Sequence, residues 1–126
     1  MDEVRITCGK QPSYFNFSAS PATLQPTTTV VGASLPIPKD AVWLSFQAFM
    51  SAGTATVLLQ GTNDPVTNAG TAANWVNLGT VTLPKTAGYT GDNTLSDGLT
   101  AISSWRWIRV YVSAISGGTL TCIAGC

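Results

Sequence analysis

The sequence predicts a nearly all-β fold, either a two-sheet sandwich or a closed barrel, and three observations carry that expectation. Apolar residues recur at alternate positions in short stretches along the whole chain, Gly, Pro, Asn and Asp punctuate those stretches, and no amphipathic helix longer than about two turns can be traced. Threonine, often beside Val, Leu or Ile, suits pleated and half-buried surfaces, because its branched Cβ is comfortable there and its hydroxyl tolerates water. Short strands separated by turns, with no helices between them, fit a sandwich or a barrel. At 126 residues the chain is expected to form one domain with one core, spanning residues 1–126.

The elements follow in order. Val4 to Cys8 alternates, with Val4, Ile6 and Cys8 on one face, and after the turn-prone Gly9-Lys10-Gln11-Pro12 a second extended piece runs from Tyr14 to Phe17. Ser20 to Lys39 carries Pro21, Pro26, Pro36 and Pro38, which remove backbone donors. That segment is expected to be an arm or an edge, with Thr28 to Ala33 its one strand candidate. Ala41 to Phe49 alternates strongly, placing Val42, Leu44, Phe46 and Ala48 on one face and Trp43, Ser45, Gln47 and Phe49 on the other. Thr54 to Gln60 follows the Ser51-Ala52-Gly53 turn, which predicts a hairpin. Gly61 to Asn74 reads as a surface loop, Trp75 to Leu83 as a strand, and Lys85 to Asp97 as a second long loop. Trp105 to Ile115 is the longest strand, and Thr119 to Ile123 returns after Gly117-Gly118 in an expected terminal hairpin.

Composition narrows the function. Only 10% of the residues are charged, against roughly 25% in ordinary soluble domains. Six Lys+Arg balance six Asp+Glu and there is no histidine. Neither steering nor repulsion would then keep copies apart, and such a surface is easiest to explain inside an assembly. The carboxylates Asp2, Glu3, Asp40, Asp64, Asp92 and Asp97 all fall in expected termini or loops, with no spacing that suggests two facing acids. Ser or Cys nucleophiles lack a histidine base. The expectation is a protein that is not an enzyme and holds no cofactor.

Binding of other classes is equally poorly provisioned. Cys8, Cys122 and Cys126 lack paired C-x-x-C spacing, so a structural zinc would be short of donors; reduced thiols are expected, with a Cys8 to Cys122 bridge between terminal strands the alternative. Asn63-Asp64 and Asp92-Asn93 with Asp97 could offer hard oxygens to calcium, but the same residues are ordinary turn formers. The basic residues form no cluster that could track nucleic acid. No apolar run approaches the roughly 18 residues that span a bilayer, and Met1-Asp2-Glu3-Val4 starts acidic, so a chain kept in the cytosol or released by lysis is expected.

One segment stands out as a recognition candidate. In Trp105-Arg106-Trp107-Ile108-Arg109-Val110-Tyr111-Val112 strand periodicity sets Arg106, Ile108, Val110 and Val112 on one face and Trp105, Trp107, Arg109 and Tyr111 on the other. Trp, Tyr and Arg are the residues that most often anchor interfaces, and flat rings also stack on sugars. The alternative is that the rings fill the space between two sheets, with Arg109 covering one of them. Trp75 is added as a further stacking candidate.

Three stretches, Leu58-Leu59-Gln60-Gly61-Thr62-Asn63-Asp64, Asn74-Trp75-Val76-Asn77-Leu78-Gly79-Thr80, and Trp105 to Val112 with Gly117-Gly118-Thr119, resemble small virion proteins of tailed bacteriophages over roughly the last two-thirds of the chain. In that group a strand ending in a QG(S/T)xD-like turn leads to a W..LG strand, and an aromatic RxIRVxV strand closes the fold. The resemblance implies a two-sheet antiparallel β-sandwich, jelly-roll or galactose-binding-like; the extended Pro-rich N-terminal segment at residues 20–39 has no counterpart in it. It implies a capsid decoration, head-fibre or tail-associated structural protein, made in the host bacterial cytoplasm and located in the virion. Its expected partners are itself and a major capsid or tail protein, with Trp75, Trp105, Trp107, Arg109 and Tyr111 as the recognition residues. A carbohydrate-binding or receptor-recognition module of a fibre or tail, with a glycan as partner, is the alternative. Nucleic acid and membrane are not expected partners.

Overall fold

A computed structural model describes residues 13–17, 23, 25–36, 43–63, 74–102 and 105–125. The expected strand at Val4 to Cys8 lies outside them, as do Cys8, Cys126, Asp64 and Ala41-Val42. The described residues contain no helix. They form β1 (Ser13–Tyr14), β2 (Val30–Val31), β3 (Leu35–Pro36), β4 (Trp43–Met50), β5 (Thr54–Thr62), β6 (Val76–Leu83), β7 (Ser96–Ile102), β8 (Trp107–Ser116) and β9 (Leu120–Gly125).

Two antiparallel sheets pack face to face, as the sequence predicted. One has the order β1-β9-β4-β7, the other β2-β8-β5-β6, with β3 also paired to β8. If β2 and β3 count as one interrupted strand, the chain winds between the sheets in the order of a jelly roll. Alternation drives the packing. In β4, Leu44, Phe46, Ala48 and Met50 turn inward, and they join Val57 and Leu59 of β5, Val81 and Leu83 of β6, Ile108, Val110 and Val112 of β8, and Leu120, Cys122 and Ala124 of β9 in a single core. Phe15 meets Phe46 edge to face, with centroids 5.8 Å apart and rings at 78°. Each fully buried Leu, Ile, Val or Phe contributes about 1.5–3 kcal/mol.

Both expected hairpins are corrected. The Ser51–Gly53 turn does not fold β5 back onto β4, since β4 pairs with β7 and β9 while β5 pairs with β6 and β8. The Gly117-Gly118 turn likewise carries the chain from β8 in one sheet to β9 in the other. Local turn chemistry is the same for a hairpin and for a corner between sheets. The choice is made by distant pairings that let the apolar faces of β4 and β5 oppose each other across the core. The two corners touch: Ser51 N–H donates to the Thr119 carbonyl (3.0 Å), and Thr119 N–H donates to Ser51 Oγ (2.9 Å). Gly53 has φ +78, and a Cβ there would land on the Ser116 carbonyl oxygen, so glycine is required.

Two other elements differ from expectation, while the Pro-rich segment takes the edge form that was one of its two expected forms. The loop expected over Lys85 to Asp97 ends earlier: Ser96 and Asp97 open β7, which pairs along its whole length with β4 although Asp97 and Gly98 are poor strand formers. Gly61 and Thr62, expected in the following loop, extend β5. Within the Pro-rich segment the described residues form an edge: β2 and β3 both pair with β8, Gly32 N–H donates to the Val110 carbonyl (2.7 Å), and the Pro26 carbonyl accepts from Leu120 N–H (3.1 Å).

Candidate functional site

β8 runs through the middle of the five-stranded sheet, so its alternation decides what that sheet shows to solvent. Ile108, Val110 and Val112 are fully buried, and Trp107, Arg109 and Tyr111 point away from the core. Cross-strand register gives each a neighbour: Tyr111 lies between Val31 of β2 and Leu58 of β5, Arg109 beside Gln60, and Trp107 between Pro36 and Thr62. A register shift between Leu59 and Gln60 then sets Gln60 opposite Asn77 of β6.

These neighbours form a directed hydrogen-bond chain across the strands. Arg109 Nε donates to Gln60 Oε1 (2.8 Å), and Gln60 Nε2 donates to Asn77 Oδ1 (2.8 Å). Trp75, immediately before β6, supports the cation: the guanidinium carbon lies 4.2 Å from its ring centroid. Burial pulls the Arg109 pKa below its ordinary value, but an arginine stays charged in proteins. Among the described residues Nε makes the guanidinium's hydrogen bond and no carboxylate pairs with it. Tyr111 and Val31 remain exposed beside this group. The face is a held patch, with an aromatic and aliphatic row next to a cation fixed by Gln60 and Trp75.

The structure therefore brings together Trp75, Trp107, Arg109 and Tyr111 and separates Trp105 from them. Trp105 precedes β8, where period-two alternation no longer applies, and it packs against the core. Its indole lies over Gly61, where a Cβ would stand 2.9 Å from the ring. Trp107 is half-buried, and among the described residues its enclosed Nε1 has no acceptor. Gln60 and Asn77 were missed as site residues. Both sit on the strands next to Arg109, but only the register, bulge included, aligns them with it.

The remaining chemistry is local. Asp92 Oδ2 accepts from Gly88 N–H (2.9 Å) and its Oδ1 lies 3.4 Å from Lys85 Nζ; the Gly88 bond in particular holds its carboxyl below the usual range. Asn93 accepts from Leu95 N–H, Asp97 from Gly98 N–H, and Asn63 from Arg106 N–H. These oxygens are engaged by backbone N–H groups, and among the described residues no group of three or more His, Cys, Asp or Glu lies together. Cys122 is a free thiol in the core, and burial pushes its pKa far up. Among the described residues, those lining a cleft of about 210 Å³ near the β2 edge, Phe17, Pro26 and Val30 included, carry no ionisable group. Among the described residues no helix is long and apolar enough to cross a membrane.

Fold and face together define a jelly-roll β-sandwich with a preformed aromatic and cationic patch on one outer sheet. No protein-family model, no curated protein and no solved structure matches the chain.

Proposed function

We propose that this chain is a non-enzymatic structural protein of a bacteriophage virion, a capsid decoration protein that binds the capsid lattice and copies of itself through the outer face of the five-stranded sheet. The observation that carries this reading is the held patch of Val31, Tyr111, Arg109 and Trp75 on a chain of zero formal net charge. Aromatic and arginine side chains anchor interfaces. Because the hydrogen bonds through Gln60 fix Arg109 in advance, docking immobilises less. Few charges keep desolvation small, and many copies on a symmetric shell add through effective concentration. Jelly rolls recur in capsid and lectin domains, which agrees with this reading without deciding it. The test is occupancy of particles by a Val31→Ser/Tyr111→Ala variant, with a fall of about tenfold or more expected for lost anchors. Unchanged occupancy removes this face from the mechanism.

A second reading, a carbohydrate or receptor-recognition module of a fibre or tail, is favoured by one observation. Arg109 lies over the Trp75 ring and is joined through Gln60 to the amide of Asn77, so hydrogen-bonding groups adjoin an aromatic ring as a sugar site requires. A glycan array separates the two readings, because only the second expects a sugar-dependent signal that Arg109→Ala abolishes.

A further inference from the structure

The two edges of the sandwich are finished differently. At one, the sheets end in the short strands β1, β2 and β3, and Pro36 in β3 cannot donate to a further strand. At the other, β7 carries Asp97 opposite Ala48, a core-facing position where a charge discourages extension of the sheet. β6 has a register shift near Leu78 as a guard at its start, but none of these devices along Gly79–Leu83. It is 8 residues long, and Val76–Leu83 contains neither proline nor a charged side chain. Among the described residues nothing pairs with its outer side.

An unguarded edge recognises extended backbone, so its occupant is a strand. We propose that the occupant is β6 of a second copy, antiparallel about a two-fold axis at Val81, so that two five-stranded sheets join into one. This rests on the assembly reading above but uses a different surface. The choice of a second copy comes from the strand itself. The register shift near Leu59 and Gln60 limits the regular part of β6 to Gly79–Leu83, which pairs in step with Leu59–Ala55, and Val81 is its centre. A two-fold there sets Val81 opposite Val81 and Thr80 opposite Thr82. Both threonines are exposed, and Thr–Thr pairs stabilise sheets. The run is thus complementary to itself, as a two-fold contact requires, and a chain with zero formal net charge does not repel its copy.

Sedimentation velocity on the full chain over a concentration series tests this. A dimer that dissociates on dilution is expected. Thr80→Lys/Thr82→Lys places like charges opposite each other and should weaken it by about tenfold or more, with an unchanged unfolding curve at dilutions where both proteins are monomeric, since both side chains are exposed. Mixing that variant with Thr80→Glu/Thr82→Glu should restore a dimer. A wild-type monomer at every concentration, or a dimer indifferent to the lysine pair, overturns the proposal. Particle occupancy that still depends on Val31 and Tyr111 would then leave the lattice reading standing, so the two failures are distinguishable.

Discussion

The outer faces of the two sheets are built from similar residues and organised in opposite ways. On the five-stranded sheet, Arg109, Gln60 and Asn77 are hydrogen-bonded across neighbouring strands, with Trp75 stacked on the cation. On the four-stranded sheet the polar groups bond, among the described residues, in separate pairs, Gln47 to Ser96 and Ser45 to the Gly125 carbonyl, and Trp43 stands 59% exposed. An exposed tryptophan is not by itself a site. What distinguishes the first face is that its side chains are held before anything binds, so the entropic cost of ordering them has been met during folding.

The largest effect that tests this contrast is expected at Gln60. It is 9% exposed and bonds on both sides, so Gln60→Leu should strand Arg109 Nε and Asn77 Oδ1 and cost about 2 kcal/mol. The matching change on the other face, Gln47→Leu, should stay within about 0.5 kcal/mol. Urea midpoints measure both, and equal losses would erase the distinction. A smaller effect is expected at the cation. Arg109→Ala should cost about 1 kcal/mol and alter Trp75 fluorescence, Arg109→Lys should recover only part because lysine lacks the fixed Nε donor, and Trp43→Ser should be nearly silent.

The smallest effect concerns the core behind the plainer sheet. Burial raises the Cys122 pKa in the folded chain, so its contribution is complete below the ordinary thiol range and is lost as pH rises above it, because the unfolded chain ionises first. With an unfolded pKa of about 8.5, the loss at pH 9 should be about 0.8 kcal/mol. Cys122→Ala should be less stable throughout but lack this increment. A variant with the same slope between pH 8 and pH 9 would assign the loss to other groups.

Much of the fold was readable because alternation is a local signal. β4 and β8 and their inward residues follow directly from it, as do Val81 and Leu83 of β6, whose first half loses the alternation at the register shift. Sheet membership was not, because the turns at Ser51–Gly53 and Gly117-Gly118 suit a hairpin and a corner equally. β7 was hidden by Asp97 and Gly98, whose weak propensities are overridden by pairing with β4. Within the site, Trp107, Arg109 and Tyr111 were found by parity alone. Trp105 was misplaced because parity was extended beyond the end of the strand, and Gln60 and Asn77 depend on a bulge that no local pattern marks.

The stitch between Ser51 and Thr119 has a mechanical consequence. Two of the passages from one sheet to the other are fastened together there, so the sheets cannot slide past each other without first parting that rivet. Shear applied at either face is carried to the same point, and the two layers should yield together as one cooperative unit.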